Sequence, residues 1–118
     1  MHTEGAGRGM DKRRSVTARG LDEAYFLDVL ADTYNSLGRY DEAVEALSRA
    51  VKVFREHGAQ CAYALGLFKL AQSHLALAHT DQAITYLREC LPIFRSLRLR
   101  ASEERALATL NACLVAYN

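Results

Sequence analysis

The stretch LADTYNSLGRYDEAVEAL, Leu30 to Leu47, returns forty residues later as LAQSHLALAHTDQAITYL, Leu70 to Leu87. At that offset Leu30/Leu70, Ala31/Ala71, Leu37/Leu77, Asp41/Asp81, Ala43/Ala83 and Leu47/Leu87 are identical. Val44/Ile84 is a near match, and the echo runs on to Phe54/Phe94. A repeat that keeps its apolar and small residues while its polar ones drift is a packing unit copied along the chain.

The spacing inside each copy is helical. Leu27, Leu30, Ala31, Tyr34 and Leu37 follow the i, i+3, i+4, i+7 pattern that puts them on one helix face. Gly38 suits a left-handed helix end, and Asp41 is the expected N-cap of a second helix with Glu42 in its first turn. That helix places Ala43, Val44, Leu47, Ala50, Val51 and Phe54 inward and stops near His57-Gly58. The second copy predicts a helix from about Ala59 to Leu77, a turn, and a helix from Asp81 that should kink or pause near Cys90-Leu91, ahead of Pro92. A fifth helix starts near Ala101, where Leu107 and Leu110 continue the series of Leu27/Leu67 and Leu30/Leu70. The fold class expected is all-α: an α-solenoid of antiparallel helix pairs, about two and a half units in five helices.

Residues 1–20 read differently. They hold four glycines and five basic side chains against two acidic ones, with few large apolar residues, so a disordered basic tail or linker is expected there. The remaining 98 residues carry ten basic and twelve acidic side chains, a balance of −2 that offers nothing to draw nucleic acid. No apolar run reaches the roughly 18 residues that span a bilayer. With no apolar stretch near the N-terminus to act as a signal, the expected location is cytoplasmic. Cys61, Cys90 and Cys113 are odd in number and far apart, which argues against a disulfide framework or a zinc site. His2, His57, His74 and His79 form no metal-ligand motif, and Gly5, Gly7 and Gly9 no phosphate loop. Neighbouring carboxylates such as Asp41-Glu42 and Glu103-Glu104 sit at helix starts, where the dipole accounts for them. No catalytic, cofactor or metal site is expected, and no enzyme.

The first unit, with Leu27, Leu30, Ala31, Tyr34, Gly38, Tyr40, Ala43, Leu47 and Ala50, resembles the tetratricopeptide repeat (TPR) family. Leu67, Leu70, Ala71, Ala83, Leu87 and Cys90 fit in the second unit, while His74, Ala78 and Thr80 depart from it. The third keeps Leu107, Leu110 and Leu114 but has Asn111 at a small-residue position. The resemblance covers units 21–58 and 59–98 and a half unit, 101–118. The period of forty exceeds the usual ~34, an excess assigned to longer second helices and connectors. This variant is similar to TPR regions of actinobacterial transcription regulators and bacterial signalling ATPases. It implies a protein-protein interaction module, the regulatory part of a bacterial regulator, that binds a peptide or helix.

In that family the first helix of each pair lines the concave wall. By position the resemblance puts there Tyr25, Asp28, Asp32 and Asn35, then Leu65, Phe68, Gln72 and Leu75, then Arg105, Ala108, Ala112 and Val115. Phe68 and Leu75 form a second apolar face on a helix that already has Leu67, Leu70 and Ala71. That face must be covered by a peptide, another subunit or an adjacent helix. Asp28 and Asp32 stand where a chaperone-type carboxylate clamp would need cations, so that use is not expected.

The alternative is a self-associating scaffold with no separate ligand. The last helix, ALATLNACLVAYN, is apolar nearly all round, and such a helix belongs in an interior. Burying even ~400 Å² of it would gross about 10 kcal/mol. A twofold homodimer is therefore expected, through the last helix and the wall around Phe68.

Overall fold

The computed structural model describes residues 20–117. The expected basic tail lies outside them, apart from Gly20, which already belongs to the first helix. Five helices follow: α1 over 20–36, α2 Tyr40–Glu56, α3 Gln60–Ala76, α4 Thr80–Ser96 and α5 Arg100–Tyr117. Each packs on its sequence neighbour, as an all-α solenoid requires.

The joints repeat with a shorter period than the sequence echo. Gly38, Gly58, Ala78 and Arg98 stand twenty residues apart, and all four have positive φ, 74°, 69°, 62° and 57°. At each joint the next residue's N–H reaches back to a carbonyl five residues earlier: Arg39 to Tyr34, Ala59 to Phe54, His79 to His74 and Leu99 to Phe94. The same residue's carbonyl accepts the first bond of the following helix, from Ala43, Tyr63, Ala83 and Glu103. Each joint thus satisfies two helix ends with three residues.

Three expectations change here. The excess over ~34 residues does not lie in the connectors or in the second helices alone, because α2, α3 and α4 are all 17 residues long and the joints are equally short, so first and second helices share it. Asp41 is not the N-cap. Helix α2 begins one residue earlier behind Arg39, which makes no side-chain cap bond, since the compact joint already engages its backbone. Glu42 instead pairs with Arg39 itself. Pro92 does not interrupt α4, which stays helical from Thr80 to Ser96. The ring is exposed, so water can meet the Arg88 carbonyl that loses its helical partner.

The core is where the repeat was most faithful. Ala31, Ala43, Ala71 and Ala83 are fully buried, so paired helices cross with only methyl groups between them. Leu47, Leu70, Leu87, Phe54 and Phe94 fill the space around these crossings. Gly66 extends the same logic to the α2–α3 contact, where a Cβ would stand 2.5 Å from Val51 Cγ1. Burial depends on neighbours as well as on type. Leu67 is buried, while Leu27 and Leu107, its equivalents in the outer units, are half-buried and exposed.

Two predictions follow from this geometry. Ala78→Gly or Arg98→Gly should raise stability by about 0.5–1 kcal/mol, as relief of left-handed strain exceeds the added chain entropy, and the urea midpoint should rise. Gly66→Ala should cost about 1–2 kcal/mol by overpacking, and Val51→Ala in the same chain should recover part of that loss. Simple addition of the two losses would show that the contact is not the cause.

Candidate functional site

Helices α1, α3 and α5 lie side by side, and polar bonds between them identify the wall they share. Lys69 of α3 reaches back to α1, with Nζ 3.1 Å from carboxylate oxygens of both Asp28 and Asp32. Ser73 Oγ, one turn further, lies 2.9 Å from Asn35 Oδ1 and 3.1 Å from the Lys69 carbonyl oxygen, the two acceptors within reach of its single proton. Burial lowers the Lys69 ammonium pKa, but its bonds to Asp32 and Asp28 outweigh that and the net shift is upward. From α5, the Arg105 guanidinium lies over the Phe68 ring, 5.1 Å from its centroid. Phe68 also meets Phe94 edge-on, with centroids 6.5 Å apart.

These contacts divide the candidate wall residues by position. Asp28 and Phe68 are equivalent, as are Asn35 and Leu75, and all four are drawn into the seams between neighbouring helices. Phe68 is only 4% exposed. Of the three ways to cover its face, adjacent helices of the same chain are the one present, and the Arg105 guanidinium overlies the ring. Tyr25 and Asp32, Leu65 and Gln72, and Arg105 and Ala112 occupy equivalent positions seven residues apart, and all six remain exposed. They form the open ridge of the wall. Tyr25 also packs on Phe54, 4.9 Å between centroids. Ala108 and Val115 are exposed because they stand at seam positions on the last described helix.

Lys69 and Ser73 are the wall residues missed in the sequence. The signal was there: Lys69 lies four residues after Leu65 and three before Gln72, on the same helical stripe. What the repeat could not convey is which side of the stripe faces back toward α1.

Elsewhere, two chemically interesting groups have structural explanations. Cys90 is fully buried, its Sγ is 3.5 Å from the Leu87 carbonyl, and burial pushes its thiol up to about 12. It stays protonated and unreactive. Burial also raises the Cys113 thiol. His74 occupies the position of Tyr34, stacks on Tyr86 at 5.6 Å and has its Nδ1 3.2 Å from Nδ1 of His79. One ring must offer a lone pair to the other, so the contact needs at least one neutral imidazole. Among the described residues there is no group of three or more metal-ligating side chains. None of the described helices is long and apolar enough to cross a membrane.

The chain belongs to the tetratricopeptide repeat family: the family's model matches residues 22–96, which span both full units. A comparison with curated proteins finds no match. The repeat's fold is a non-catalytic interaction fold, and the chain is a protein-protein interaction module of that general kind.

The histidine pair sets a pH dependence. Burial, and then the charge of His79, hold His74 below the ordinary imidazole range. The unfolded chain therefore binds the proton first as pH falls below about 6.5. The stability that neutral His74 contributes is complete above that point and declines as pH drops through the lowered value. The urea midpoint of the wild type should fall between about pH 7.5 and pH 5 by more than that of His74→Tyr, which restores the residue of the first unit. Parallel declines in both proteins would remove His74 as the cause.

Proposed function

We propose that the chain is a TPR adaptor that binds a peptide or helix of a partner protein along the ridge of Tyr25, Asp32, Leu65, Gln72, Arg105 and Ala112, as the regulatory part of a bacterial regulator. The carrying observation is that these six positions stay open while the seam positions of α1 and α3 beside them are closed by neighbouring helices. Internal bonds already hold the wall in shape, so a ligand would meet a surface that needs little ordering. Apolar Leu65 beside polar Gln72, with Asp32 and Arg105 to either side, suits a segment that alternates apolar and charged groups. The reading assigns the chain no catalysis, metal or cofactor, and a cytoplasmic location.

A second reading, self-association as a homodimer through α5, rests on a separate observation. On the side of α5 that no described helix covers, Leu107 is 42% and Val115 71% exposed, with Ala108 also open. Contiguous apolar surface of this kind marks an interface.

Panning a displayed library of random peptides on the immobilised chain tests the first reading. Enriched peptides should bind in isothermal titration and weaken roughly tenfold or more against Leu65→Glu or Gln72→Arg. Unchanged affinity in both variants would move the site off this wall.

A further inference from the structure

The wall carries opposite charge at its two ends. Helix α1 contains Asp22, Glu23, Asp28 and Asp32 and no basic residue. Among the described residues, Lys69 is the one cation that reaches these carboxylates, with Nζ 3.1 Å from both Asp28 and Asp32. Two carboxylates share one ammonium, so the cluster keeps a net charge of −1. Asp32 presents it to solvent, since its side chain is 54% exposed against 23% for Asp28.

At the other end, Arg105 of α5 is exposed, and no carboxylate of the described residues lies within ion-pair distance of it. Its acidic neighbours on α5 are turned elsewhere. Glu103 binds Arg95 of α4 at 2.8 Å, and Glu104, next in sequence, points to a different side of the helix. The guanidinium rests over the Phe68 ring, 5.1 Å from its centroid. That contact restrains the side chain while its N–H donors bond to no described residue. An open guanidinium fork held in this way recognises a carboxylate through two parallel hydrogen bonds. Between the two charges lies Leu65 of α3, 37% exposed.

We infer that the wall selects a dipolar segment of a partner protein. A lysine or arginine of that segment sits at Asp32, an apolar side chain covers Leu65, and an aspartate or glutamate enters the fork of Arg105. The inference rests on reading the ridge as the binding site and adds the order of charges across it. Helices ~10 Å apart put α1 and α5 roughly 20 Å from each other, a span of about six residues of extended chain. A ligand of uniform sign would be repelled at one end of the wall.

Titration of the peptides enriched on the wild type tests it, with their ends blocked so that terminal charges play no part. Each peptide should hold one basic and one acidic residue about five positions apart. Replacing the peptide's acid by its amide should weaken binding to the wild type about five- to tenfold, and to Arg105→Gln hardly at all. Replacing its base by glutamine should behave in the same way with Asp32→Asn, which leaves the bond between Lys69 and Asp28 in place. If Arg105→Gln loses helix by circular dichroism, Arg105→Lys serves instead, because it keeps the charge but not the planar fork. Peptides that weaken against Leu65→Glu but show no coupling to either residue would overturn the charge order and leave the wall as the site. Coupling at one residue alone also overturns it, since the ligand would then be acidic or basic and not dipolar. Peptides that bind Leu65→Glu and Gln72→Arg unchanged, or a library that yields no binder, overturn both readings.

Discussion

Everything in this fold depends on four residues held in the left-handed region at twenty-residue intervals. Gly38, Gly58, Ala78 and Arg98 each end one helix and direct the chain into the next through a joint with no slack. Because the joints match, successive helices return at matching heights. Ala31 then meets Ala43, and Ala71 meets Ala83, at the crossings. A longer joint would let one helix slide against the next, and the small residues would lose their register. Ala78 and Arg98 adopt a conformation that favours glycine, so packing on both sides must hold them in it.

The equality of the joints also explains why burial varies among equivalent residues. Each helix offers one face to the helix before it and another to the helix after it. In α3 both are covered, and Leu67, Phe68, Leu70 and Ala71 are buried. In α1 and α5 one face is open, and residues of the same type and register stand in solvent. The lateral seams between α1, α3 and α5 are a second layer of contacts. There Lys69 pairs with two aspartates and Arg105 overlies an aromatic ring, so the wall is braced by charge as well as by apolar packing.

The helices and their pairing were legible in the residues themselves, because a helix stripe and a small-residue crossing are local patterns that survive copying at a fixed offset. Leu47 and Leu87, or Ala43 and Ala83, could be assigned inward without knowing anything beyond their own unit. Gly38 and Gly58 were legible for the same reason, since glycine next to a helix end states its conformation. Ala78 and Arg98 were not, because nothing in either residue requires positive φ. Their conformation follows from the joints around them. The exposed pairs of the wall, such as Leu65 with Gln72, were placed by the resemblance to the repeat family, carried over position by position. That Phe68 and Leu75 face a neighbouring helix of the chain, while Phe26 and Val115 face outward, follows from the assembled stack. That choice depends on which helices lie on either side, and on how close they come, and a single helix's periodicity holds no record of either.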